Sequence, residues 1–373
     1  MKTVFEQMED RNAAENVEKF RAFRMMPYEY KIYHAEEVVD AYIQECFARE
    51  LNYHVSVGGL DSITLLMFLR DYGKRHYKHQ LEDIPAISVS VLEDKSIQAV
   101  HKELGVERLK PLKAKVDVLK EYGFPVLSKE IAAKIELLQN PSEKNETVRH
   151  AIITGETGEY GGFQKDSRMK LSQRWLELFG GADAEGAAQG YMKAPFKVSS
   201  KCCYYLKEKP CDDWAKEHNS VPFLGLMASE GGRRAKALML NGCNYWGKST
   251  IRSCPFAIFD RQDLLQLALD LHVPVPEIYG EIVREADGTL HTTKAQRTGC
   301  SMCGFGIQLE RQPHRFDMLR EQNLKEWEFW MYRCCKNPDG THYGWGKVLD
   351  YIGIEWESAI GADFPEQMEL EGM

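Results

Sequence analysis

The sequence predicts an α/β protein: a parallel five-stranded sheet covered by helices, with a helical N-terminal extension and an irregular, cysteine-bearing C-terminal module. Three observations predict it. Short, near-continuous apolar runs such as Ile84–Val91 alternate with stretches of helical periodicity, the pattern of strands buried on both faces. Two adjacent glycines, Gly58 and Gly59, punctuate the passage from the first such run into the helix that follows. The ten cysteines are unevenly spread: only Cys46 lies in the first 200 residues, and nine fall between positions 202 and 335.

Residues 1–50 read as two helices, the second placing Val38, Val39, Tyr42, Ile43, Cys46 and Phe47 at helical spacing, which makes Cys46 a small core side chain. Asn52–Val57 reads as a strand, Ser62–Tyr72 as a helix, Ile84–Val91 as a strand, 95–104 as a helix and Val106–Leu112 as a strand. Helices follow near 114–122 and 127–139. Residues 140–195, rich in Gly, Glu, Asn and Ala, break the rhythm and read as an insertion or lid with one amphipathic helix near Met169–Phe179. Alternation resumes with a helix near 200–208, a strand over Val221–Met227 and a helix near 233–240. The next helix, Asp260–Leu271, takes Asp260 as its N-cap. Beyond residue 275 the chain reads as a small irregular module with helices near 314–335 and 345–352. The predicted domains are 1–50, 51–275 and 276–373.

The 373 residues can bury a sizeable core, and 43% hydrophobic with 28% charged residues is an ordinary globular balance that argues against disorder. A net charge of −8 is no nucleic-acid footprint for the molecule as a whole, although a local basic patch is compatible with it. The absence of a long apolar run predicts no membrane span, and the acidic, polar first twenty residues do not read as a signal peptide; a cytoplasmic protein is expected. A homo-oligomer is compatible with the chain, but no specific feature asks for one.

Ser56-Val-Gly-Gly-Leu-Asp-Ser62 is the first stretch that carries chemistry. Two glycines let the backbone turn tightly and clear space for amide N–H groups to face an anion. The helix N-terminus behind them adds partial positive charge, and Ser62 offers a hydroxyl to the same phosphate. Asp61 suits either a helix cap or a ligand to Mg²⁺. An ordinary βα turn is the competing reading. Further on, Gly225-Leu-Met-Ala-Ser229-Glu230-Gly-Gly-Arg233-Arg234 follows a predicted strand, so its polar groups should emerge at the carboxyl edge of the sheet, where open α/β sheets bind ligands. Arginine forks there suit phosphate or sulfate, against the alternative of a solvated helix surface.

The cysteines form the second constellation. A tandem Cys202-Cys203 and a Cys300-x-x-Cys303 supply four thiolates in two distant halves. C-x-x-C in a glycine-bearing turn points two thiolates at one ion or cluster. An iron–sulfur cluster, a zinc ion and unliganded buried thiols remain open at this point, with Cys243, and after it Cys254, as alternative ligands. Cys211, Cys334 and Cys335 read as packing.

The GG-x-DS turn resembles the PP-loop, SGGxDS, of enzymes that split ATP or a related nucleotide between the α and β phosphates. Gly58, Gly59, Asp61 and Ser62 match, and Val57 stands where that family has its first serine. The cysteine layout resembles the CC…CxxC pattern of [4Fe-4S] adenylyl-sulfate reductases. The Arg233–Arg234 stretch and the Pro255…Tyr279 segment are similar to parts of the same phosphoadenosine phosphosulfate (PAPS) reductase family. Together these matches span roughly residues 50–310. The resemblance implies a PP-loop α/β fold and an ATP or sulfonucleotide ligand with Mg²⁺. It implies nucleotide contacts from Ser56, Gly58, Gly59, Leu60, Asp61, Ser62, Ser229, Glu230 and Arg233, and catalytic roles for Asp61, Ser62 and Arg234. It also implies a [4Fe-4S] cluster on Cys202, Cys203, Cys300 and Cys303.

Sulfonucleotide reductases of that family use a mobile C-terminal cysteine as nucleophile, and the tail after Cys335 has none. The first functional expectation is therefore ATP-driven activation of an acceptor, such as a nucleic acid, for sulfur transfer from a donor or partner protein. The second is a thioredoxin-dependent sulfonucleotide reductase in which Cys300 and Cys303, or Cys334 and Cys335, replace the tail thiol. The third is a non-catalytic nucleotide-binding partner subunit.

Overall fold

Strand β1, Asn52–Ser56, lies inside a sheet of six strands rather than the five expected. Its partners are β2 (Ala86–Ser88) and β4 (Ser220–Leu224), both parallel to it. Beyond β2 lies β3, Glu107–Arg108; beyond β4 lie β6 (Ile251–Ser253) and β5 (Asn244–Trp246), giving the order β3-β2-β1-β4-β6-β5. The sheet is parallel except for β5, which runs antiparallel to β6. That hairpin escapes sequence reading because each arm is only three residues long, too short to show a period of two. The predicted strand Val106–Leu112 contracts to the two exposed, charged residues of β3.

The computed structural model describes residues 4–156, 169–179, 193–310, 312 and 314–356. It divides into two units, each assembled from two separated stretches of chain, whereas the sequence reading divides it linearly at 50 and 275. The first unit runs to Leu112 and resumes from Leu206 to Cys300; the second comprises Lys113–Tyr205 and the residues from Ser301 onward.

The sheet belongs to the first unit. Helices α1 (Val4–Arg24), α2 (Tyr28–Ala48), α3 (Leu60–Arg75), α4 (Lys95–Glu103), α5 (Lys209–Glu217), α6 (Gly232–Asn241) and α7 (Arg261–Asp270) accompany it. Packing on α2 follows the predicted stripe, with Val38, Val39, Tyr42 and Cys46 buried, although Phe47 is exposed. Asp260 caps α7 as expected, accepting from the N–H groups of Gln262 and Asp263 at 2.9 and 3.1 Å. Pro210 falls near the start of α5. A second hairpin, β7 (Ile282–Arg284) with β8 (Leu290–Thr292), completes the unit.

The second unit has its own core of Phe124, Phe196, Phe316 and Trp345, among others. Trp345 packs edge-on against Phe124 and Phe316 at centroid distances of 4.9 and 5.2 Å. Of the predicted insertion at 140–195, residues 157–168 and 180–192 lie outside the described residues. The rest supplies helices Glu146–Thr154 and Gln173–Phe179, the latter burying Leu176 and Phe179 in this core. The predicted helix at 314–335 is broken at Asn323, whose side chain accepts from the Glu326 N–H and starts a new segment. Cys334 and Cys335 are core residues, as their sequence context suggests.

Candidate functional site

From β1 the chain moves outward to β2 and β3, then returns to place β4 on the other side of β1. The strand order therefore switches between β1 and β4, and at such a point the loops leaving the carboxyl ends diverge and open a crevice. The glycine turn leaves β1 there, and Gly225 leaves β4 there. The two loops touch: a Cβ on Gly225 would lie 2.9 Å from both the Asp61 carbonyl oxygen and the Ser62 Cα. Gly225→Ala must therefore push the two backbones apart, and a destabilisation of about 1–3 kcal/mol is expected. Urea unfolding measures it, and an unchanged midpoint would show that the turn has slack.

The turn is tied internally. The Gly58 N–H donates to Ser62 Oγ at 2.7 Å, and that hydroxyl donates to the Gly59 carbonyl at 2.9 Å. His101 Nε2 lies 2.8 Å from the Gly58 carbonyl, which can only accept, so this nitrogen carries the proton and Nδ1 accepts from Ser90 Oγ at 2.9 Å. Burial holds the His101 pKa below its ordinary value, in keeping with a neutral ring. The Leu60 N–H, the first of α3, donates to Tyr279 Oη at 3.0 Å, and Tyr279 is bonded in turn to Thr298 Oγ1 at 2.7 Å. Asp61 neither caps α3 nor stands free for Mg²⁺: its Oδ1 pairs with Arg261 Nη1 at 2.7 Å. Burial raises the Asp61 pKa, and the Arg261 guanidinium offsets part of that rise.

A cavity of about 830 Å³ opens beside the turn. Small-molecule sites span roughly 300–1,000 Å³. Its walls include Ser56, Val57 and Gly58 at the end of β1; Ile87, Ser88 and Val89 at the end of β2; and Pro222 and Leu224 of β4. Pro222 supplies no N–H, and β4 meets β6 only at Phe223 and Ser253. Charged groups stand around this apolar strip: Glu93 and Lys207 near Gly58, Lys216 on α5, and Lys248 in the β5–β6 turn. Lys207 Nζ is 2.5 Å from Glu93 Oε1 and is also hydrogen-bonded to Cys300. Burial alone would lower the Lys207 pKa, but the charges of Cys300 and Glu93 outweigh it and hold the ammonium above its ordinary value. The arrangement can bind an anion near the glycine turn and a flat apolar group along the strip.

The remaining expected residues lie apart from the cavity walls. Ser229 Oγ donates to the Phe259 carbonyl at 3.1 Å, and Glu230 pairs with Arg234 at 2.5 Å on the half-exposed face of α6. The side chain of Arg233 lies outside the described residues. Cys211 lines the cavity, with its thiol pushed up to about 11 by burial and the neighbouring Asp212. Arg261, His101, Lys207 and Glu93 were not singled out by sequence reading, and Tyr279 entered it only as the end of the Pro255…Tyr279 segment. Arg261, Tyr279, His101 and Lys207 each have one partner at the site 40 or more positions away in the chain, which no local spacing marks.

The cysteines expected to hold a cluster divide between the units: Cys300 ends the first, and Cys202, Cys203 and Cys303 belong to the second. Among the described residues, no three His, Cys, Asp or Glu side chains converge to hold a metal ion. Cys243, the alternative ligand, sits 3.7 Å from His34 Nε2, its thiol pushed up to about 12 by burial and by the nearby Cys254. No protein-family model matches the chain, and no curated protein shows significant similarity to it.

Proposed function

We propose that the chain binds an adenine nucleotide and uses it to activate an acceptor for sulfur transfer, as the resemblance to PAPS-reductase-like PP-loop enzymes implies. The phosphates would lie at the Gly58–Ser62 turn near Lys207, and the base along Ile87, Val89 and Leu224. One observation carries this reading: the GG-x-DS turn leaves the sheet at the switch point of the strand order, and a nucleotide-sized cavity reaches that turn at Gly58. In the activating step an acceptor oxygen attacks the α-phosphorus, the bond to the bridging oxygen breaks, and pyrophosphate leaves. A sulfur nucleophile then displaces AMP from the adenylated acceptor. Mg²⁺ would accompany the nucleotide and neutralise the departing pyrophosphate.

With ATP, Mg²⁺ and an acceptor, AMP and pyrophosphate are the expected products. Ser62→Ala, which unties the Gly58 N–H, is expected to lower kcat/KM by roughly tenfold to a hundredfold. Calorimetry that detects no binding of ATP, ADP or adenylyl sulfate would refute the assignment. Iron and acid-labile sulfide counts on anaerobically purified protein test the cluster expectation separately.

The hydrogen bond between Cys300 and the cavity-lining Lys207 favours a second reading, sulfonucleotide reduction. A Cys300 thiolate would attack the sulfur of adenylyl sulfate, breaking its bond to the phosphate oxygen and releasing AMP. A thioredoxin dithiol would then reduce the cysteine–sulfonate adduct and free sulfite. Sulfite release separates this reading from the first. The buried Cys334 and Cys335 are poorly placed for such a role.

A further inference from the structure

The phosphate site of the proposed function already has an oxygen in it. Tyr279 is 3% exposed, and its hydroxyl accepts the Leu60 N–H at 3.0 Å, the position an anion's oxygen would take at the head of α3. Gly59 makes room for it: a Cβ there would come within 2.3 Å of Tyr279 Oη. Thr298 Oγ1, 2.7 Å away, holds the phenol in place. The short turn that carries Tyr279 is pinned by the Ile278 N–H on Ser96 Oγ at 3.1 Å and by the Lys294 N–H on the Tyr279 carbonyl at 3.0 Å. Immediately after it comes Gly280, at φ +69°, a backbone joint that other residues adopt with strain.

We propose that Tyr279 is a gate on the nucleotide site: its hydroxyl substitutes for a phosphate oxygen in the free protein and is displaced when a nucleotide binds. This rests on the nucleotide reading above. The exchange is favourable because a phosphate oxygen accepts a charge-assisted hydrogen bond, roughly twice as strong as the neutral one it replaces. The gate lowers the apparent affinity by the fraction of molecules in which it is open. It also couples the turn to the 277–298 segment, so whatever shifts that segment tunes nucleotide affinity.

Calorimetric titration with Mg²⁺-pyrophosphate and with Mg²⁺-ATP tests this on wild type, Tyr279→Phe and Thr298→Val. Tyr279→Phe keeps the ring but leaves the Leu60 N–H without its internal acceptor, and is expected to bind pyrophosphate about tenfold tighter. Thr298→Val, which only loosens the latch, is expected to gain less. The Leu60 amide should exchange with solvent faster in free Tyr279→Phe than in free wild type. Equal or weaker binding by Tyr279→Phe would overturn the gate and make the hydroxyl a strut or part of the cradle. Should Tyr279→Phe lose its cooperative melt, Thr298→Val decides alone, and equal or weaker binding overturns the proposal. If wild type and both variants bind neither probe, the nucleotide reading fails first and the gate falls with it.

Discussion

Asp263→Ala is expected to destabilise the protein by about 3 kcal/mol, because it leaves a buried ammonium without its close, hydrogen-bonded counter-charge. Lys31 of α2 is 4% exposed, and its Nζ lies 2.6 Å from Asp263 Oδ2, with Asp260 Oδ2 further off at 3.9 Å. The same Asp263 carboxylate accepts the Asp260 N–H at 2.8 Å, closing the capping box at the start of α7. One substitution thus removes an ion pair and the reciprocal half of the capping box, while the Asp260 side chain still caps the helix. The consequence reaches the candidate site, because the first residue of α7 is Arg261, the partner of Asp61. Nucleotide affinity should fall along with stability. The double variant Lys31→Met/Asp263→Leu should recover much of the lost stability, since a matched apolar pair removes both buried charges together. Urea unfolding of the three variants measures this; a loss below about 1 kcal/mol in Asp263→Ala would mean that Lys31 finds its way to water.

Acid should weaken the same sheet by a different route. Burial, with the nearby His218 charge adding to it, depresses the pKa of His54 on β1 from 6.5 to about 4. The folded state therefore refuses a proton that the unfolded state takes up. Stability from this group is fully present above pH 6.5 and is lost as the pH falls through the window from 6.5 to about 4. At 1.36 kcal/mol per unit, the loss is about 3 kcal/mol at the bottom of that window. His34 and His101 are depressed in the same direction and add to it, whereas the raised pKa of Asp61 acts in the opposite sense. His54 lies opposite Pro222 in the β1–β4 pairing, so protonation strikes the two strands that carry the site. Chemical denaturation at pH 7 and pH 4.5 reads the slope. His54→Gln should flatten it, and an unchanged slope in that variant would assign the acid sensitivity elsewhere.

The parts of the molecule that were legible in the sequence are those whose signal is local. Gly58 and Gly59 announce a turn because strand, glycines and helix follow one another within a few residues, and Asp260 announces a helix start for the same reason. Ile87 and Val89 read as a buried strand and line the cavity. What was not legible depends on residues that meet only after folding. Nothing around Tyr279 says that its hydroxyl will rest on the Leu60 amide, 219 positions away. Arg261 looked like part of a helix start because its partner, Asp61, lies 200 positions earlier. Arg234 was read as a fork for phosphate or sulfate, and its guanidinium pairs with Glu230, four positions earlier. Ser62 was read as a phosphate contact and Asp61 as a helix cap or a Mg²⁺ ligand, and both side chains are bonded within the fold.

The two ends of the sheet bear on how copies of this chain meet one another. An open sheet border is a template on which a neighbouring molecule can lay down its own backbone, the first step toward aggregation. At one border β3 offers just two residues, Glu107 and Arg108, both charged and facing water. At the other, the reversed direction of β5 ends the parallel pattern after three residues. Neither border of this sheet gives an incoming strand a long, flat, apolar ladder to extend.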